Sequence, residues 1–209
     1  MARLLYMEAS PRKQRSASIE IAKIFIDEYK RTHPGDKVET LDLWRLSMPE
    51  FDGHVIDSKY AILHGLEHTE EQKRAWLAVE ALISQFTKAD KYLFSLPMWN
   101  FGIPYKLKHY IDVLVQPGYT FSYSPKEGYK GLVTEKPVAA IYARGGAYGP
   151  ASGMESYDLQ KPYLELILAF IGFSGFQTVA IESTLGPREE KERSMAAARE
   201  RAKTIAANF

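Results

Sequence analysis

The chain has 209 residues, with 27 Lys plus Arg against 26 Asp plus Glu for a net charge of +1, and no cysteine. That length fits one compact domain with an insertion better than two domains. The balanced charge argues against a nucleic-acid binder, and the missing cysteine excludes disulfides, thiolate nucleophiles and cysteine-ligated metals.

No apolar run approaches the ~18 residues of a membrane-spanning helix, and the start, MARLLYMEASPRK, lacks the apolar segment and cleavage site of a signal peptide. A soluble, cytoplasmic protein is expected. The histidines are His33, His54, His64, His68 and His109. They offer one pair at helical spacing, His64 with His68, and no HExxH pattern, so no metal site is expected.

In chain order, Arg3 to Met7 reads as the first strand, followed by a loop running from Glu8 to Ser18 that is rich in hydroxyls. A helix follows, with Ala22, Phe25, Ile26 and Tyr29 on one face and Ser16 or Ser18 placed to cap it. A helix start with free N–H groups and serine hydroxyls suits a phosphate. Ordinary capping by one serine is the plainer alternative. Neither GxGxxG nor GxxxxGK[ST] is present, so no dinucleotide fingerprint or ATP-binding loop is indicated.

Lys37 to Leu43 reads as a second, edge-like strand. Arg45 to Thr69 reads as an irregular insertion with one short helix around Ser58 to His64, and a loop of that size commonly serves as a lid. Glu70 to Lys88 is a helix with Trp76, Val79, Ile83 and Phe86 along one stripe.

Tyr92 to Leu96 is a short apolar run suited to a strand buried on both faces, and Pro97 stops it. The loop beyond carries Met98, Trp99, Asn100, Phe101 and Gly102, and Pro104 then opens a helix through Leu107, Tyr110, Ile111 and Leu114. A flat heteroaromatic ligand, a partner subunit, or plain core packing would each cover the two rings. Gln116 to Glu135 reads as an aromatic excursion, a small hairpin outside the central sheet, containing Tyr119, Phe121, Tyr123 and Tyr129.

Val138 to Tyr142 is a fourth strand, ending in Ala143, Arg144, Gly145 and Gly146. Adjacent glycines allow a ligand close to the backbone, or mark a simple turn. Leu159 to Phe173 is a helix apolar almost all round, which calls for burial on several sides and a contact with another subunit. Gln177 to Ile181 is the fifth strand, and Pro187 opens a final helix whose Glu189 and Glu190 suit its positive end.

Strands alternating with helices predict an α/β fold: a doubly wound, five-stranded parallel sheet in the order 2-1-3-4-5, with helices on both faces. The loops after strands 1, 3 and 4 then meet at the switch point on the carboxyl edge. One suits a phosphate, one a flat ring, one close backbone contact. FMN is a ligand of that shape.

The pattern SxxxxxSxS after strand 1, PMWNFGIPxxLKxYID after strand 3, the excursion residues Gly118, Thr120, Phe121, Tyr123, Gly128 and Gly131, and ARGG after strand 4 resemble the FMN-dependent NADH-azoreductase and quinone reductase family. The resemblance spans nearly the whole chain and implies a flavodoxin-like fold and homodimers with active sites at the interface. It implies ping-pong hydride transfer from NADH or NADPH through FMN to quinones or azo compounds, with no catalytic side chain. It implies that Ser10, Ser16, Ala17 and Ser18 hold the phosphate, that Pro97, Met98, Trp99, Asn100 and Phe101 line the ring, and that Ala143, Arg144, Gly145 and Gly146 close its other edge. Tyr123 and Phe170 would form a substrate pocket, one or both supplied by the second subunit. Ala17, Trp99 and Ala143 depart from common family choices, and the insertion from Arg45 to Thr69 matches least. The rival readings are a flavodoxin-type electron carrier or flavin-binding regulatory module, and a hydrolase, for which GxSxG is missing. For an extra phosphate on the nicotinamide donor the candidates are Arg12, Lys13, Arg15 and Arg45.

Overall fold

The computed structural model describes residues 1–63, 65–67, 69–150 and 152–209. The expected pair His64 and His68 lies outside the described residues. Strands β1 (Arg3–Glu8), β2 (Lys37–Asp42), β3 (Lys91–Pro97), β6 (Val138–Ala143) and β7 (Gln177–Ile181) form a parallel sheet in the order β2-β1-β3-β6-β7. That is the expected 2-1-3-4-5 order. Strands β4 (Phe121–Ser124) and β5 (Gly128–Gly131) form the separate hairpin of the excursion, paired with Phe121 opposite Gly131 and Tyr123 opposite Tyr129.

The alternation of side chains along each strand builds two cores. Leu4, Tyr6, Leu93, Ala139 and Ile141 point to one face, where α1 (Ala17–Thr32) and α6 (Arg188–Ala207) pack through Ala22, Phe25, Ala198 and Ala202. Leu5, Met7, Phe94, Ala140 and Tyr142 point to the other, against α3 (Glu70–Thr87), α4 (Tyr105–Leu114) and α5 (Gln160–Phe170). Central strands buried on both sides need apolar residues at every position, which explains their unbroken hydrophobic runs.

Two elements differ from expectation. The helix in the insertion, α2 (Gly53–Leu63), starts earlier than Ser58 because Asp52 caps it, accepting from the Val55 N–H at 3.0 Å. Helix α5 ends at Phe170, where Gly172 at φ 118 breaks the helical path. Its circumference is not wholly covered within one chain either, since Leu164 and Leu168 are buried but Leu166 is 70% exposed. Among the described residues no helix is long and apolar enough to cross a membrane, and no group of three or more His, Asp or Glu comes together as a metal site would require.

The register sets the site. Ladder bonds continue past the strand ends: Ala9 N–H to the Ser95 carbonyl at 2.9 Å, Met98 N–H to Ala143 at 2.7 Å, and Arg144 N–H to Ile181 at 2.9 Å. The loops after β1, β3, β6 and β7 therefore start at one level.

Candidate functional site: a cleft at the carboxyl edge of the sheet

A cavity of about 540 Å³ opens between these loops. Ser10, Ser16, Ala17, Pro97, Met98, Trp99, Asn100, Phe101, Ala143 and Gly145 all line it. Three turns far apart in the chain thus share one space. Ser18, Arg144 and Gly146 do not line it. Ser18 is buried behind Ser16, with the two hydroxyls 3.1 Å apart.

At one end lies the start of α1. Ser16 caps it weakly, accepting from the Ile19 N–H at 3.5 Å. The N–H groups of Ala17 and Ser18 have no acceptor among the described residues. Two free donors at a helix N-terminus, flanked by buried hydroxyls, favour an anion. Arg12, Arg15 and Lys191 add positive charge to the same rim, and none of them has a salt-bridge partner among the described residues. Lys13 and Arg45 are differently placed. Lys13 is held by Glu8 at 2.7 Å and Asp42 at 2.5 Å, and Arg45 lies 3.5 Å from Asp42. Burial works against the Lys13 ammonium, but its hydrogen bonds to Asp42 and Glu8 outweigh that and raise its pKa.

The middle wall is aromatic and strained. Trp99 and Gly102 exchange backbone hydrogen bonds at 3.0 and 2.9 Å, and the turn between them has Asn100 at φ 46 and Phe101 at φ 68. Positive φ at both central positions is a type I′ geometry, which costs a phenylalanine roughly 1–2 kcal/mol. The turn pushes Phe101 outward, where it is 40% exposed yet meets Tyr157 at 5.3 Å and Tyr148 at 6.4 Å between ring centroids. Trp99 is backed by Trp44, 5.7 Å away, whose indole N–H donates to the Ala9 carbonyl at 3.0 Å.

The third wall is the loop after β6. The carbonyls of Arg144, Gly145 and Gly146 accept from the N–H groups of Thr184, Leu185 and Ser183, each at 3.1 Å. The N–H groups of Gly145 and Gly146 have no acceptor among the described residues. Neither glycine has a positive φ, and a Cβ would meet only a Leu185 methyl at 3.1 Å or the Tyr148 ring at 3.7 Å. The fold itself therefore does not demand glycine here. A flat ligand against Gly145 would.

Tyr123 and Phe170 lie elsewhere. They belong to a cluster with Phe121 and Tyr129, in which Phe170 sits 4.9 Å from Phe121 and Tyr123 4.9 Å from Tyr129. Tyr148, Thr184, Leu185 and Lys191 line the cleft without having been singled out from the sequence. The signal that points to Thr184, Leu185 and Lys191 is topological, because the loop after the fifth strand opens on the same edge as the others. Trp44 follows the second strand and was open to the same reasoning.

A family model described as a flavodoxin-like fold matches residues 2–205. An FMN-dependent NADH:quinone oxidoreductase of Desulfotalea psychrophila is 48% identical over 206 residues, covering 99% of this chain and 97% of that protein. The crystal structure of an azoreductase from Bacillus anthracis str. Sterne superimposes with a TM-score of 0.92 at 32% identity, covering 100% of both chains. An FMN-dependent NADH-azoreductase from Bacillus anthracis str. Ames Ancestor, solved in complex with FMN, has a TM-score of 0.88 at 27% identity, covering 99% of this chain and 100% of that one. Sheet order, cleft and full-length similarity agree, and the chain belongs to the flavodoxin-like family that includes these quinone oxidoreductases and azoreductases.

Proposed function

We propose that this protein is an FMN-dependent NADH oxidoreductase that reduces quinones and azo compounds, and that it works in the cytoplasm as a homodimer. One observation carries the cofactor reading: Ala17 at the start of α1, the aromatic wall of Trp99 and Phe101, and Gly145 of the glycine loop all line one cavity, and the N–H groups of Ala17 and Gly145 have no acceptor among the described residues. Its volume of about 540 Å³ lies within the range of small-molecule clefts, roughly 300–1,000 Å³. The residues present therefore fit FMN.

When bound, FMN would supply the hydride chemistry between a nicotinamide and an acceptor. The chain's own residues bind and orient. Ser10, Ser16 and the N–H groups of Ala17 and Ser18 hold the phosphate, with Arg12, Arg15 and Lys191 as surrounding charge. Trp99 and Phe101 present their rings, Asn100 an amide, and the N–H groups of Gly145 and Gly146 are donors ready for charge that develops on a ring edge. Arg12 and Arg15 stay candidates for a donor's extra phosphate, whereas Lys13 and Arg45 are already engaged by carboxylates.

The dimer is supported by a second, apolar groove of about 1040 Å³ that shares Trp99 and Asn100 with the cleft and includes Ile103, Tyr105, Leu159 and Leu166. A second copy seated there would finish the cleft's open side. Tyr123 and Phe170, remote from their own chain's cleft, are then candidates for the partner's substrate pocket.

The test is spectroscopic. The purified protein should be yellow, bleach anaerobically with NADH and regain its colour with a quinone. Protein that takes up no FMN sinks the cofactor assignment. Protein that binds FMN but is not reduced by NADH favours an electron carrier.

A further inference from the structure

Arg144 stands between two residues that line the cleft, Ala143 and Gly145, but does not line it itself, and its side chain is buried. The guanidinium is 4% exposed and carries hydrogen bonds in three directions. Nη2 donates to Asp158 Oδ2 at 2.6 Å, Nη1 to Glu182 Oε1 at 3.2 Å, and Nε to Gln160 Oε1 at 3.2 Å. The rings of Tyr142 and Tyr148 flank it, 5.6 and 5.8 Å from Cζ.

The acceptors belong to two places: Glu182 follows β7, and Asp158 and Gln160 stand together at the start of α5. Glu182, the residue after β7, also accepts from the Tyr148 N–H at 2.9 Å, so it ties the far end of the glycine loop. Asp158 uses its other oxygen, Oδ1, to accept from the N–H groups of Gln160 and Lys161 at 3.1 Å, which caps α5. The next residue, Leu159, donates its N–H to the Phe101 carbonyl at 3.0 Å. One cation thus connects the glycine loop, the loop after β7 and, through Asp158 and Leu159, the strained turn at Asn100 and Phe101.

We infer that Arg144 is a positioning residue: it locks the two ring-facing walls at a fixed separation and aims the Gly145 N–H group into the cleft. This rests on the FMN reading above. A planar fork is required, because the acceptors meet three different nitrogens, Nε, Nη1 and Nη2, and the single nitrogen of an ammonium cannot stand at all three places. The role concerns the redox state of the ligand as well as its retention. Preorganised donors on a ring edge bind the more negative, reduced form more tightly than the oxidised one.

The experiment compares Arg144→Lys, Asp158→Asn and, as a control, Asp36→Asn at the opposite edge of the sheet. Apoprotein melting temperature and the dissociation constants for oxidised and reduced FMN are measured for each. Arg144→Lys should melt close to the parent yet bind oxidised FMN about tenfold more weakly, the size expected for one or two misaligned hydrogen bonds. It should lose about a further tenfold for reduced FMN, equivalent to about 30 mV in a two-electron potential. Asp158→Asn should show the same pattern and carries the test if Arg144→Lys fails to fold. Asp36→Asn should lower the melting temperature and leave both constants alone. Unchanged constants in both cleft variants overturn the inference, and so does an equal loss for the two redox states. If the parent apoprotein takes up no FMN at all, it is the functional reading that falls instead.

Discussion

At the scale of single residues, the two edges of the sheet are built to different ends. At the amino edge Asp36 accepts from the Tyr29 hydroxyl and from the Ala2 N–H, each at 2.6 Å, with Lys91 at 3.6 Å. The Tyr29 bond first, then the Ala2 N–H and the nearby cations, hold its carboxyl down to about 2. A depressed carboxyl pKa contributes stability that is complete above the unfolded value of ~3.9 and disappears as pH falls towards 2. At neutral pH it is worth about 1–2 kcal/mol. Asp36→Asn should therefore lose stability at pH 7 but show a flatter decline between about pH 4 and 2, as read by denaturant titrations across that window. At the carboxyl edge, Phe101 stores strain. A buried phenylalanine truncated to a small residue usually costs about 3–5 kcal/mol, but Phe101→Gly also relieves a left-handed backbone. The apoprotein should lose less than about 1 kcal/mol while FMN binding weakens clearly. Apoprotein melts with FMN titration decide this, and a loss of several kcal/mol would make Phe101 a core residue.

Among elements, the hairpin of β4 and β5 has the most demanding fit. A Cβ on Gly131 would lie 2.3 Å from the Gly172 nitrogen and 2.4 Å from the Ile171 carbonyl carbon, both backbone atoms that cannot turn aside. Gly131→Ala should thus lift the hairpin off the end of α5 and destabilise the protein by about 1–3 kcal/mol, with faster proteolysis near Lys126 and Lys130. Wild-type proteolysis rates would refute it. The element boundaries show what a sequence can and cannot reveal. Strands β3 and β6 were legible because burial on both faces leaves an unbroken apolar run. The start of α2 was not, since Asp52 is one capping residue among several polar neighbours. Nor did the sequence show that the guanidinium of Arg144 turns away from the glycine loop, because the acceptors that draw it lie 14 to 38 positions along the chain. The capped start of α1 was legible for a local reason: Ser16 to Ser18 needs only the start of its own helix.

For the molecule as a whole, the exposed apolar band along α5 and α4 is the main unsatisfied feature. Leu166 stands in it with few neighbours of its own chain, so Leu166→Glu should leave the protomer folded. It should also raise a dimer dissociation constant roughly tenfold or more, measured by sedimentation equilibrium. A parent protein that is monomeric at every concentration would defeat the expectation. The N–H groups of Ala17, Ser18, Gly145 and Gly146 have no acceptor among the described residues. They lie outside the strands and both cores, so a guest that they bind adds stability only as its concentration exceeds its dissociation constant.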